Sequence, residues 1–442
     1  MRFLSGLFAV LICLHTVSLA IEPANPNLCQ EGKELLAFFE SIYGKQVLAG
    51  YNVYPHTPDD YQQTARQAAI WGRDIRWLGD VEEVVSHVRA HGYFLTLHWH
   101  WFFDEDSAWT RERKKPVDLA KVITPGTQEH ETLMKELAAT ADVLERLQKE
   151  GIVVLWRPLH EIDGGWFWWT NLNHPENTAE LWRIMFRYFT DERKLNNLIW
   201  VYSAGVGDLK KKPAEWRRRF YPGDAYVDIS GIDIYGVDPK NDETPYWDYY
   251  KLMEEVSPGK MLALCECDAI PNPDKMAAGK TPKWLYALPW WGCPSPRRSV
   301  EWARFTMGHE LVLTLDEIPT MGRKDLVPQI GIVEPNDDGS AWFPKSEVTM
   351  SGYAVSRGAA VARVEFLAND EVIGTLEKPP AHFSWSWVSP RAGTFDLTAR
   401  AVDTLGRTNT SNRIHLAVGV TNAAKNKPVR VSSGEDPQAA VD

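Results

Sequence analysis

The sequence predicts an α/β chain built as a (β/α)8 TIM barrel followed by a small all-β immunoglobulin-like sandwich. Three observations carry that prediction. From about residue 25 to 320, short apolar runs alternate with amphipathic ones. Several of those runs end in charged or aromatic residues, as barrel strands do where they deliver side chains to the upper rim. After Pro328 the helical period vanishes and short alternating runs replace it.

The barrel rests on eight strand candidates: Gln46–Gly50, Gln67–Ile70, Tyr93–His98, Ile152–Trp156, Leu198–Tyr202, Val227–Ile234, Met261–Glu266 and Trp284–Trp290. Amphipathic helical patterns lie between them, at Glu31–Tyr43, Val81–His91, Glu129–Glu150, Thr178–Thr190, Trp247–Val256 and Ser299–Met307. Strands separated by helices over about 300 residues fit a closed barrel. A doubly wound sheet stays open on this pattern, although no glycine-rich dinucleotide fingerprint accompanies it.

The second unit rests on the runs Glu347–Tyr353, Ala362–Ala368, Glu371–Thr375, His382–Trp387, Gly393–Val402 and Arg413–Val418. Asn369-Asp370, Pro379-Pro380, Pro390 and Gly406 separate them as turns. About ninety residues with this spacing read as a sandwich of immunoglobulin type, here without the inter-sheet cysteine pair. Alternation puts Trp385 and Trp387 on one strand face, a core position rather than a ligand platform, so the unit is expected to act as a spacer.

Composition narrows the function classes. Net charge is −11, and the densest basic run, Lys210-Lys211-Lys212 with Arg217-Arg218-Arg219, reads as a solvated helix face. A nucleic-acid partner is therefore not expected. Twenty tryptophans are more than usual; most are expected to fill the core, yet a flat indole is also the natural partner of a sugar face. Arg2, the apolar stretch Phe3–Val17 and Ser18-Leu19-Ala20 form a secretory signal peptide, which implies a secreted protein. No later run reaches membrane length, so no membrane span is expected. Cys29, Cys265, Cys267 and Cys293 make no disulfide framework and no zinc spacing. Neither a metal nor a cofactor is expected, and the chain is expected to be a monomer.

Two segments carry chemistry. Trp156-Arg157-Pro158-Leu159-His160-Glu161 ends an apolar strand in a carboxylate with a cation and an imidazole beside it to control its protonation. Gly164-Gly165 then lets the chain bend, and Trp166-Phe167-Trp168-Trp169 is expected to wall a groove. About a hundred residues later, Met261-Leu262-Ala263-Leu264-Cys265-Glu266 again ends a strand in one carboxylate, a distance that fits strands four and seven. Cys265 and Cys267 flank Glu266 and by alternation point away from it. Two carboxylates across one anomeric carbon, one protonated and one ionised, are what retaining cleavage of a glycosidic bond requires, at a separation of roughly 5–5.5 Å.

The segment Trp156 to Trp169 resembles the acid/base signature of glycoside hydrolase family 26, best known for endo-β-1,4-mannanases. The likeness extends over most of residues 40–320, including Asn197–Tyr202, Ile232-Asp233-Ile234-Tyr235 and Met307–Thr314 before Asp316-Glu317-Ile318-Pro319. The resemblance implies that Glu161 is the acid/base and Glu266 the nucleophile. It also implies substrate-binding roles for His100, His160, Trp166, Tyr235 and Trp290. Tyr235 would hydrogen-bond Glu266, His100 in Trp99-His100-Trp101 would reach the sugar with His98 as its rival, and Trp290 or Trp291 would floor the same subsite. Between the second and third strand candidates only Trp71-Gly72-Arg73-Asp74 and a helix intervene, where family members carry a longer insertion.

The expected function is hydrolysis of β-1,4-mannosidic bonds in mannan, glucomannan or galactomannan, with a β-mannan-type polysaccharide as partner. A β-glucanase or β-xylanase on the same barrel is the alternative. So is a non-catalytic glycan-binding protein, which predicts loss of one carboxylate. Val364–Ala368 with Val372-Ile373-Gly374 is similar to Ig-like modules of secreted bacterial polysaccharide enzymes, and Asn422–Val429 with Val431-Ser432-Ser433 resembles the opening strand of discoidin-like carbohydrate-binding modules. The expected division is thus a signal peptide at 1–20, the catalytic barrel at 21–325, the Ig-like sandwich at 326–420 and a truncated discoidin-like start at 421–442.

Overall fold

The structure is a computed structural model that describes residues 22–53, 66–241, 243–290, 299–335, 341–342, 347–389 and 391–418. The signal segment, Trp291, Cys293, Pro390 and the tail from 421 lie outside the described residues.

Eight parallel strands close into a barrel: β1 (Val47–Asn52), β2 (Ile70–Asp74), β3 (Phe94–His98), β4 (Val154–Arg157), β5 (Leu198–Gly205), β6 (Ile229–Ile234), β7 (Met261–Cys267) and β8 (Tyr286–Pro289). Closure is made by β1, which pairs with β8 through Leu48 and Tyr286 and with β2 through Gly50 and Ile70. A two-residue strand, β9 (Val312–Leu313), adds beside β1. Because helices cover the outside and side chains fill the inside, these strands are apolar along most of their length. Arg73, half-buried on β2, is the one barrel-strand residue from β1 to β8 that is not fully buried.

The helices pack one apolar stripe on the barrel. In α1 (Gln30–Ile42) that stripe is Leu35, Leu36, Phe39 and Ile42. Next comes α2 (Val81–His91), started by the Asp80 carboxylate, which accepts from the Glu82 amide, and stopped at Gly92 with φ 72°. After a single turn, α3 (Leu119–Val122), the long α4 (Gln128–Lys149) buries Leu133, Leu137, Ala141, Leu144 and Leu147. It is followed by α5 (Pro175–Arg187), α6 (Ala214–Arg218), α7 (Thr244–Val256), α8 (Pro273–Ala277) and α9 (Val300–Met307). Trp101, Trp156, Trp169, Trp182, Trp200 and Trp284 are fully buried, so much of the tryptophan excess is core, each ring worth roughly 3 kcal/mol of burial. Among the described residues no helix is long and apolar enough to cross a membrane.

One strand was misplaced by its sequence. Apolarity favoured Gln67–Ile70, whereas β2 runs Ile70–Asp74 and pairs with β3 from Ile70↔Phe94 to Asp74↔His98. Arginine and aspartate looked like loop residues, yet at a barrel rim charged residues belong to the strand itself. The stretch Trp71–Asp74, read as a short connection, is therefore strand, and the connection is Ile75–Asp80.

After the barrel come β10 (Gln329–Glu334), β11 (Ala341–Trp342), β12 (Glu347–Val355), β13 (Val361–Ala368), β14 (Glu371–Glu377), β15 (His382–Val388), β16 (Gly393–Asp403), β17 (Thr408–Thr410) and β18 (Ile414–Val418). One sheet has the order β10-β12-β15, the other β11-β18-β16-β13-β14 with β17 on β16. Pairing is antiparallel except between β11 and β18. A separate apolar core includes Ile332, Val348, Phe366, Leu397 and Leu416, with Trp387 buried in it and Trp385 stacked on Phe366 at 4.3 Å. Arg357 joins this part to the barrel, donating to the carbonyls of His91 at 2.5 Å and Gly92 at 3.2 Å.

Candidate active site

The end of β4 makes a tight turn around Glu161. Its φ is 49°, the left-handed region, which costs a non-glycine residue about 1 kcal/mol or more. Two bonds hold it: the Gly164 amide donates to the Glu161 carbonyl at 2.8 Å, and the Ile162 amide donates to the Ser203 carbonyl at 3.1 Å. The turn brings Trp166 back over the carboxylate, where the indole N–H donates to Glu161 Oε2 at 2.6 Å. A Cβ on Gly164 would lie 2.4 Å from that indole, so only glycine leaves room. Burial pushes the Glu161 carboxyl well above the usual range, and the charges of Asp233 and Glu266 push the same way against Trp166 and Arg157.

Glu266 is held in the opposite state. The register of β6 against β7 slips by one residue between Ile232↔Leu264 and Asp233↔Glu266, so the two carboxylates stand side by side. Alternation is broken there. The Cys265 thiol meets the Tyr286 hydroxyl at 3.3 Å and lies where a Cβ on Gly231 would be, 2.5 Å away. Arg157 reaches both carboxylates, donating to Asp233 Oδ2 at 2.9 Å and to Glu266 Oε1. Tyr235 donates to Glu266 Oε2 at 2.8 Å, and Ser203 to Asp233 Oδ1 at 2.7 Å. Burial opposes ionisation of Glu266, but the Arg157 charge and the hydrogen bonds from Arg157 and Tyr235 hold its carboxyl below the usual range. Burial, with Glu266 beside it, pushes Asp233 up to about 8 against the pull of Arg157.

Imidazoles line the neighbouring wall. His100 Nδ1 lies 2.5 Å from Asp74 Oδ2 at the end of β2, with His98 Nε2 at 3.4 Å from the same oxygen. Burial opposes charge on Asp74, but the two imidazoles hold its carboxyl well below the usual range. The His160 ring stands 4.5 Å from His100, and burial with the nearby His100 and Arg157 pushes it well below the usual imidazole range. Trp290 meets His98 edge-on at 4.9 Å, and Trp109 stacks on His100 at 4.9 Å. Both His98 and His100 are thus buried on this wall. Donor atoms of Asp74, His98 and His100 lie within 4.8 Å of one another, a spacing that a metal could use. The carboxylate is already engaged by the imidazoles and by the His100 amide, the arrangement that fixes a histidine tautomer.

The structure brings Glu161, Glu266, His100, His160, Trp166, Tyr235 and Trp290 to one end of the barrel. It also corrects three expectations. Of the four consecutive aromatics only Trp166 is half-exposed; Phe167, Trp168 and Trp169 are buried, the latter two spending their N–H groups on the carbonyls of Trp101 and His160. Arg157 serves Glu266 and Asp233 rather than being the partner of Glu161, because its side chain leaves a strand and Glu161 leaves the turn beyond it. The basic run is not wholly solvated: Arg217 is fully buried on Asp163, and Lys212 is half-buried against Trp166.

Sequence reasoning missed Asp233, Asp74 and Trp109 as members of this cluster, and gave Arg157 to the wrong carboxylate. Asp233 lies in Ile232-Asp233-Ile234-Tyr235, where a carboxylate inside an apolar strand was a readable signal. Asp74 would have been found by extending β2 to the rim.

Residues 24–317 match the model of glycosyl hydrolase family 26. A mannan endo-1,4-beta-mannosidase of Thermothelomyces thermophilus is 29% identical over 326 residues, 66% of this chain and 62% of that protein. One from Bacillus subtilis strain 168 is 30% identical over 267 residues, 52% of this chain and 70% of that protein. Matches to two Piromyces mannan endo-1,4-beta-mannosidases span 53% and 50% of their length, so the chain spans about half of those two and under two-thirds of the Thermothelomyces protein. A beta-mannanase from a symbiotic protist of the termite Reticulitermes speratus, solved with a gluco-manno-oligosaccharide, superposes with TM-score 0.59 at 31% identity, covering 67% of this chain and 97% of that one. The Podospora anserina GH26-CBM35 beta-(1,4)-mannanase gives TM-score 0.57 at 28% identity, covering 68% of this chain and 69% of that one. The closed barrel, the paired rim carboxylates and this match over two-thirds of the chain agree: the protein belongs to glycosyl hydrolase family 26.

Proposed function

We propose that the chain is a retaining glycoside hydrolase that cleaves β-1,4-mannosidic bonds in mannan, glucomannan or galactomannan, with Glu161 as acid/base and Glu266 as nucleophile. The observation that carries this reading is the opposite setting of two rim carboxyls: Glu161 is pushed up by burial and touched by one indole N–H, while Glu266 is held down by Arg157 and Tyr235. In the first step the Glu266 carboxylate attacks the anomeric carbon while Glu161 gives its proton to the departing glycosidic oxygen. Glu161, now ionised, takes a proton from water; that water attacks the same carbon and releases Glu266. Asp74 fixes His100, and His100, His160 and Trp290 form the wall on which the reacting sugar would rest, with Trp166 stacking beyond the bond.

The mannan preference rests on relatives named as mannan endo-1,4-beta-mannosidases and on the gluco-manno-oligosaccharide bound in the termite-protist structure. The test is hydrolysis of defined β-manno-oligosaccharides with the product anomer followed by NMR, beside mixed-linkage glucan and xylan. Mannan cleavage with retained β-configuration is expected, and Glu161→Gln and Glu266→Gln should each lower it by roughly a thousandfold or more. Inverted product, or faster release from glucan or xylan, would reject the mechanism or the substrate respectively.

The same reading makes residues 21–325 the catalytic domain and 326–420 an Ig-like sandwich that presents it. The two facing sheets and their separate core support that division. Secretion through residues 1–20 and a discoidin-like start at 421–442 complete the proposal.

A further inference from the structure

Lys212 lies in the connection after β5, outside the two segments that carry the carboxylates. Its ammonium donates to the carbonyls of Asp163 at 2.8 Å and Gly164 at 3.0 Å, the two residues that close the turn after Glu161. It also sits between two indoles, 5.7 Å from the Trp166 ring centre and 5.2 Å from that of Trp216. The Lys212 carbonyl in turn accepts from buried Arg217 at 3.1 Å. Arg217 grips the Asp163 carboxylate and donates to the Gly205 carbonyl at 2.8 Å. The Asp163 carboxylate accepts from the Gly205 amide at 2.8 Å.

The consequence for Glu161 is mechanical. Its left-handed backbone is unfavourable by itself and persists because the following turn is over-determined. Lys212 supplies the bonds that the carbonyls of that turn would otherwise lack, and presses on the ring whose N–H fixes Glu161 Oε2 at 2.6 Å.

Resting on the assignment of Glu161 as proton donor, we propose that Lys212 is a positioning residue for that donor, acting through Trp166 and the Asp163–Gly164 turn. The role concerns the step in which Glu161 protonates the departing oxygen, so it should be visible only where the leaving group needs a proton.

The experiment compares kcat/KM for a manno-oligosaccharide with kcat/KM for a dinitrophenyl β-mannobioside, whose leaving group departs unprotonated. Lys212→Met keeps the apolar stem between the indoles and removes the donor. It should lower kcat/KM on the oligosaccharide about tenfold, a fraction of what general acid catalysis supplies, and change the aryl substrate less than about twofold. Lys212→Arg, which keeps charge and donors, should restore most of the loss, whereas the exposed Lys210→Met should match wild type on both substrates. Because the aryl substrate reports a folded site, loss on both substrates together would overturn the inference as merely structural. No loss on either would overturn it as well. Glu161→Gln separates the two layers: it should show the same split, larger. Absence of a split there sinks the donor assignment and the inference with it; a split there without one in Lys212→Met sinks the inference alone.

Discussion

The phenol of Tyr235 donates to Oε2 of Glu266 across 2.8 Å, tying the end of β6 to the end of β7. The bond and Arg157 together leave Glu266 with a donor on each oxygen. A hydrogen bond to a charged group is worth about 1.5–3 kcal/mol, and in a nucleophile it also fixes the direction of attack. Tyr235→Phe should therefore lower kcat on manno-oligosaccharides by roughly tenfold to a hundredfold with little change in KM. The melting temperature should stay near wild type, since the ring remains. An unchanged kcat would mean that the bond is incidental.

Arg157 has a different weight because it is the cation between two buried carboxylates. Removing one member of a buried ion-pair network leaves uncompensated charge, at a cost of about 3–5 kcal/mol. Arg157→Met should lose activity and melt well below wild type. Asp233→Asn should be much milder in stability, because burial already pushes that carboxyl up to about 8 and towards its neutral form. Thermal denaturation of the two variants at neutral pH checks the ordering; equal losses would contradict it.

The pH profile follows from two shifts of opposite sign. The proposed mechanism needs Glu266 ionised, and its carboxyl lies below the ordinary value, so the acidic limb of kcat/KM should fall below the usual glutamate range. It also needs Glu161 protonated, and its carboxyl lies well above the ordinary value, so the alkaline limb should fall well above that range. On a manno-oligosaccharide, whose leaving group needs a proton, the residual activity of Glu161→Gln should lose the alkaline limb and keep the acidic one. Loss of the acidic limb instead would exchange the two roles.

How far this site could be read in the sequence differs residue by residue. Glu161 and Glu266 were legible because each ends an apolar run, and a carboxylate at the end of a barrel strand has few structural reasons to be there. Tyr235 came from the family resemblance, and it lies where that likeness implied. Asp74 was not legible, since its strand was placed four residues early at its C-terminal end by following apolarity alone. Phe167, Trp168 and Trp169 misled for a related reason: no sequence period governs an irregular turn, so which of four adjacent rings faces solvent depends on partners such as Trp101, contributed from far along the chain. The partner of Arg157 was hidden similarly, because the carboxylates it joins lie on β6 and β7. The fold was more legible than the site, as eight apolar runs separated by helical patterns point to a barrel even where single boundaries, such as those of β2, are wrong.

The junction between barrel and C-terminal sheets yields a last expectation. Arg357 occupies the end of α2, where helix carbonyls lack partners, and supplies donors to His91 and Gly92. Beside it His87, His91, Trp71 and Tyr93 cluster, with His87 stacked on Tyr93 at 5.3 Å and tilted against His91 at 4.5 Å. Burial, with His91 and Arg73 as further cations, pushes His87 down to about 3; burial and Arg357 push His91 down to about 4. In the unfolded chain both imidazoles titrate near 6.5, so between that value and about 4 the unfolded state binds more protons than the folded one. Stability conferred by the neutral rings is complete above about 6.5 and is lost as pH falls. The melting temperature should drop steadily from pH 6.5 to 4, and His91→Gln should flatten that drop by removing both a titrating group and its repulsion with Arg357. Arg357→Met should lower the melting temperature at pH 7 by a few degrees through lost carbonyl partners, while hydrolysis of soluble mannan stays near wild type, because the helix end it caps precedes β3 and the carboxylates lie beyond the far ends of the strands. A large loss of activity in Arg357→Met would instead tie the C-terminal sheets to the chemistry.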